Sequence, residues 1–87
     1  MRIMVDVQIA VTPERAEEAR ALVPAENARV AADLQSGVLE VIFYEQAAPP
    51  THIWAIMRAE SVEAAQQMVE TYPMRAFFHA TYTPLRE

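Results

Sequence analysis

VLEVIFYEQAAPPTHIWAIMRA, residues 38–59, contains two runs that are apolar on both alternating sets of positions, separated by a loop. In the first, Val38 to Glu45, the residues Val38, Ile42 and Tyr44 share one set with Glu40, and Leu39, Val41 and Phe43 share the other. This density of β-branched and aromatic residues predicts a strand, and apolar side chains on both faces predict one covered from both sides. Gln46 to Pro50 predicts a loop, because consecutive prolines cannot donate to a ladder. His52 to Ala59 then repeats the pattern, with Trp54 and Ile56 against Ile53, Ala55 and Met57.

Upstream, Ile3, Val5, Val7, Ile9 and Val11 alternate with Arg2, Met4, Asp6, Gln8 and Ala10. That period of two predicts a strand over Arg2–Val11. Thr12, Pro13 and Glu14 follow as a helix start: a capping hydroxyl, a proline where no N–H is needed, and acids near the positive end of the dipole. The helix is expected to reach about Val23, to break or kink at Pro24, and to restart over Ala25–Gln35. Gly37 is the natural stop. In the second half Val23, Asn27, Val30, Ala31 and Leu34 form the expected apolar stripe, while Glu26, Arg29 and Asp33 are spaced for a surface ion-pair ladder.

Downstream, Ser61 caps a second helix with Val62, Ala65, Met68, Val69 and Tyr72 as its core stripe. Pro73 limits that helix, Ala76–Thr83 reads as a fourth strand, and Pro84 ends it. The order β-α-β-β-α-β over residues 1–87, a single domain, predicts an α+β fold of the ferredoxin-like plan. In that plan a four-stranded antiparallel sheet carries both helices on one face. The other face of the apolar middle strands then needs cover, and a second copy of the sheet across a two-fold axis supplies it. The expected assembly is a homodimer or higher homo-oligomer closing into a dimeric α+β barrel.

Composition narrows the function. Twelve acidic residues against seven basic ones give a net charge of −5, which repels a phosphate backbone and argues against nucleic acid. All seven basic residues are Arg, so lysine Schiff-base chemistry and a P-loop lysine are excluded. Gly37 is the single glycine, which excludes a glycine-rich phosphate loop. With no Cys and only His52 and His79 as imidazoles, no metal site is expected and no disulfide can form. No apolar run approaches the roughly 20 residues of a membrane span, and the N-terminus does not resemble a signal peptide. A cytoplasmic protein is the expectation.

The chain also resembles a known family. Leu22, Pro24, Ala25, Glu26, Ala28 and Arg29, then Leu34-Gln35 and Gly37, a Trp54-bearing strand, Ser61 to Ala65, and Pro73-Met74 through Thr83-Pro84-Leu85 are similar in order and spacing to muconolactone isomerase and its small relatives. The resemblance implies a dimeric α+β barrel with a pocket between sheet and helices in each subunit. It also implies chemistry without metal or cofactor, on a lactone or a polyketide-like ring. Cofactor-free oxygenases, cyclases and non-catalytic ligand-binding proteins share the implied fold. The family's Trp and His positions on the second strand correspond to Leu39, Val41 and Phe43, its following Arg to Tyr44, and its acids in the last strand to His79 and Thr81. The scaffold therefore carries over further than the reaction.

Proton transfer at carbon needs a base of matched pKa and donors for the developing oxyanion. Glu26 stands at the family's Glu position and after Pro24, where the chain can turn it inward; its other reading is a surface charge beside Arg29. His52, sharing a face with Trp54, Ile56 and Arg58, and His79, mid-strand between Phe77 and Thr81, are the further catalytic candidates. His79 reads as an interface residue if its face points into the barrel, and as an acid or base if it points to the helices. Phe43, Tyr44, Trp54 and Tyr72 are candidates to stack on a flat ligand, with tyrosine hydroxyls as donors. Arg75 is a candidate partner for a substrate carboxylate. The expected function is an isomerase-like, cofactor-independent enzyme acting on a small cyclic or enolisable molecule. The alternatives are a ligand-binding or accessory barrel and a cofactor-free oxygenase or cyclase.

Overall fold

Alternation of apolar residues over Arg2–Ile9 forms β1, and the computed structural model, which describes residues 1–86, carries that pattern through the sheet. The remaining elements are α1 (Ala16–Ser36), β2 (Leu39–Tyr44), β3 (His52–Arg58), α2 (Val62–Val69) and β4 (Phe78–Pro84). The strands form one sheet in the order β2-β3-β1-β4, and every neighbouring pair is antiparallel. This is the ferredoxin-like α+β arrangement that the element order implied.

Register sorts the side chains onto two faces. Ile3, Val5 and Val7 stand opposite Met57, Ala55 and Ile53 on β3, and opposite Pro84, Tyr82 and Ala80 on β4. Ile3, Val5, Val7, Ala55 and Met57 are buried in one cluster with Val30 of α1 and with Ala65 and Val69 of α2. The alternate set, Met4 and Asp6 opposite Ile56 and Trp54, faces away from that cluster.

Four local expectations are corrected. β1 ends at Ile9: the Ala10 N–H still reaches the Phe77 carbonyl at 2.9 Å, but Phe77 belongs to a 3-10 turn and carries no strand for β1 to pair with further. α1 runs unbroken through Pro24. Pro24 cannot donate to the Arg20 carbonyl, but the ladder on either side continues, and Arg20, Val23 and Pro24 are all solvent-exposed, where a freed carbonyl can be hydrated. The helix begins one turn late, after a 3-10 segment at Pro13–Arg15, and Thr12 caps it through its backbone rather than its hydroxyl. Gly37, at φ 87°, ends it in the left-handed conformation as expected.

In β2 a bulge between Leu39 and Val41 leaves Glu40 as the extra residue. Leu39 therefore pairs with Met57 on the helix side, with Ile42 and Tyr44, instead of sharing a face with Val41 and Phe43. Glu40 then bridges Arg2 and Arg58, which face each other across β1 and β3, at 2.9 and 2.6 Å. Before β4 a 3-10 turn over Arg75–Phe77 delays the strand to Phe78, and Phe77 is buried under the Arg15 guanidinium rather than lying beside His79.

The buried stripe of α1 also differs. Ala19, Val30 and Asp33 are buried, while Val23 and Leu34 are each 39% exposed. The helix is rolled so that Glu26, Val30 and Asp33, at spacings of four and three, look inward. α2 keeps its expected cap and core, with Ser61 Oγ accepting from the Ala64 N–H at 3.0 Å and Ala65 and Val69 buried. It ends at Val69, however, so Tyr72 is buried from the turn beyond it, where its N–H goes to the Val69 carbonyl at 3.0 Å.

Candidate functional site

The rolled α1 does not lie flat on the sheet. Between them is a cavity of about 820 Å³, with Val5, Val7, Val30, Ile42, Ile53 and Ala55 among its walls. That volume suits a small ring compound. Glu26, Asn27, Tyr44 and Tyr72 bring polar atoms to this apolar space, and Arg20 and Thr12 also line it.

Glu26 is half-buried. One carboxylate oxygen, Oε1, accepts the Met74 backbone N–H at 2.9 Å. Burial pushes its pKa above the ordinary glutamate value, against the opposing pull of the Met74 N–H and the Arg29 charge. On β2, burial and the Glu26 charge push the Tyr44 hydroxyl up, so it stays protonated and able to donate.

Tyr72 is buried, and its hydroxyl donates a short hydrogen bond to Asp33 Oδ2. Burial, that bond and the Asp33 charge all raise its pKa, while Arg29 opposes them. Its proton is thus committed to Asp33, and only an oxygen lone pair remains for a ligand. Arg29 Nε donates to the same Asp33 oxygen at 3.1 Å, and its guanidinium lies 4.4 Å above the Tyr72 ring. Of the expected ion-pair ladder only the Arg29–Asp33 rung forms, and Asp33 is buried rather than on the surface.

The structure divides the sequence candidates among three places. Glu26, Tyr44 and Tyr72 share the cavity. His52, Trp54, Phe43 and His79 belong to the opposite face of the sheet, because they share strand positions with Asp6 and Gln8 rather than with Val5 and Val7. His52 Nε2 is 2.5 Å from Asp6 Oδ1, and its ring stacks on Trp54 with centroids 4.2 Å apart. His79 is exposed and stands opposite Gln8 on the far side of β1. Arg75 pairs with Glu70 at 3.1 Å, in a separate depression between α2 and β4.

Sequence reasoning did not nominate Asp33. The available signal was its spacing: seven residues after Glu26, it falls on the same helical stripe. Among the described residues no group of three or more His, Cys, Asp or Glu side chains is placed to hold a metal ion. No described helix is long and apolar enough to cross a membrane.

Fold and cavity together define a ferredoxin-like α+β domain with a hollow roomy enough for a small molecule beneath its long helix. No protein-family model matches the sequence, and neither does any curated protein. Among solved structures the chain is similar to 5-chloro-2-hydroxyhydroquinone dehydrochlorinase from Burkholderia phenoliruptrix, in complex with 2,5-dihydroxybenzoquinone. The TM-score is 0.68 over 99% of this chain and 94% of that one, at 15% identity, a likeness of fold.

Proposed function

We propose that this chain is a small, cofactor-independent enzyme that moves a proton on a compact cyclic substrate, with Glu26 as the base. The observation that carries the reading is the half-buried Glu26 carboxylate, its proton affinity raised by burial, in a cavity large enough for one ring.

The Met74 N–H holds Oε1, which leaves Oε2 for a carbon acid. Glu26 takes a proton from a carbon next to a carbonyl or ring hydroxyl, and the electron pair moves onto that oxygen. The neutral Tyr44 hydroxyl donates to the enolate within the largely apolar cavity. Return of the proton from Glu26 to a different carbon completes an isomerisation with no net change in atoms or electrons. Dehydrochlorination of a hydroxylated ring, the activity that names the structural neighbour, also calls on a base. That parallel supports a cyclic enolisable substrate, whether a lactone or a hydroxylated ring.

His52 and His79 take no part in this step. The same reading places them, with Trp54 and Phe43, inside a barrel closed by a second copy of the chain. Support for that placement is the apolar surface of the helix-free face, where Phe43 is 60% exposed.

The test is deuterium exchange. Unsaturated lactones and hydroxylated quinones are incubated with the protein in D₂O, and label entering the enolisable position is followed by NMR. Catalysed exchange is expected, falling about 10²-fold or more in Glu26→Gln. Binding without exchange identifies a ligand-binding barrel instead. Oxygen uptake with phenolic compounds identifies an oxygenase.

A further inference from the structure

Among the described residues Asp33 is the buried charged side chain, 9% exposed. A buried carboxylate is costly unless paired and hydrogen-bonded, and Asp33 has both kinds of partner in Arg29 and Tyr72. Arg29 is accordingly held on three sides. Its Nε is on Asp33, its Nη1 donates to the Thr71 carbonyl at 3.3 Å, and its plane lies over the Tyr72 ring.

Arg29 is also three residues from Glu26, a spacing at which the two side chains are neighbours on the helix and able to pair. They do not pair: Glu26 takes its one hydrogen bond from the Met74 N–H. We propose that Asp33 is a positioning residue for the Glu26 base, holding Arg29 against itself and Tyr72 so that this cation, one helical turn away, acts on Glu26 only through space and forms no direct ion pair with it.

The other groups facing Glu26 do not replace that cation. Tyr44 on β2 and Tyr72 beyond α2 are neutral hydroxyls, and Arg20 lies six residues earlier, about 9 Å along α1. With Arg29 released, a carboxylate–guanidinium pair would form at Glu26 and leave it a weaker base. The inference rests on Glu26 being the base, and it explains why a helix bearing Glu26, Arg29 and Asp33 turns an acid inward.

The experiment is a carboxyl titration of Glu26 by ¹³C NMR in the intact protein, assigned with Glu26→Gln. Asp33→Asn is expected to lower the Glu26 midpoint by about one pH unit or more. In an Arg29→Gln background the same substitution is expected to move it far less, because Asp33 acts through Arg29. An equal shift in both backgrounds, or none in either, overturns the proposal.

Should Asp33→Asn not fold, the Arg29 Nε–H resonance gives the answer in a variant that retains the buried network. It is expected to keep its position and exchange protection in Glu26→Gln, and a large change there means Arg29 already pairs with Glu26. Turnover enters neither measurement. An active Glu26→Gln protein would remove the base assignment while leaving the Asp33–Arg29 result standing.

Discussion

The backbone N–H of Met74, just beyond α2, donates to Oε1 of Glu26 in the middle of α1, so the two helical segments meet at the candidate base. This bond orients the carboxylate, and burial raises its pKa despite it. Since the base must be ionised to act, kcat/KM should rise with pH on an acid limb whose midpoint lies above the ordinary glutamate value of about 4.3. Glu26→Gln should lose about 10²-fold or more in kcat and lose the limb. A pH–rate profile on any substrate that exchanges checks both, and a limb that survives in Glu26→Gln refutes the assignment.

Tyr72 offers a different kind of test, because its hydroxyl serves Asp33 rather than a ligand. Tyr72→Phe keeps the ring beneath Arg29 but removes a donor from a buried carboxylate, and the unfolding free energy should fall by about 1–3 kcal/mol. Urea unfolding with an unchanged m-value checks this. In Asp33→Asn, which has no buried charge to satisfy, adding Tyr72→Phe should cost less; equal costs in both backgrounds would mean that the two groups are uncoupled.

Phe43 and Trp54 face each other across β2 and β3 on the side that no helix covers. Met4, Val41 and Ile56 extend the same surface. In the proposed barrel a second copy covers this face and makes it the centre of an interface, where Phe43→Asp would bury a charge in each half. Sedimentation should show the parent protein as at least a dimer and Phe43→Asp shifted toward monomer. A parent that sediments as a single subunit at all concentrations excludes the barrel.

How much of this could be read from the chain depends on which interactions are local. Strand period, the Ser61 cap and the Gly37 stop are encoded within a few residues, and they place all six main elements in order. Pro24 misled because a break predicted from one missing N–H ignores the ladder on both sides of it. The β2 bulge misled because one extra residue, Glu40, reverses the facing of Leu39, and its cause lies on two other strands in Arg2 and Arg58. Asp33 was invisible as a core residue because its burial depends on Tyr72, 39 residues away. For the same reason the site candidates were legible as residue types but not as one site: only register puts Tyr44 on the Glu26 side and Trp54 and His52 on the other.

Two glutamates should couple stability to pH with opposite signs. Glu26 has a raised pKa in the folded protein, so the folded state binds more protons than the unfolded chain between the ordinary value and the raised one. Stability from this group is complete below the unfolded pKa and is lost as pH rises through the folded one. Glu40 is the reverse: the Arg2 hydrogen bonds, then Arg58, hold its pKa below the ordinary value. Its contribution is present above the unfolded pKa and is lost as pH falls through the folded one. Glu26→Gln should therefore raise Tm at neutral pH and leave it unchanged at low pH, since the Gln carbonyl can still accept from Met74. Glu40→Gln should lower Tm at neutral pH, with the difference closing in acid. Thermal scans of both variants across the carboxylate range decide the matter, and a Glu26→Gln protein less stable than its parent at neutral pH would mean that the carboxylate is a structural tie to Met74 rather than a strained base.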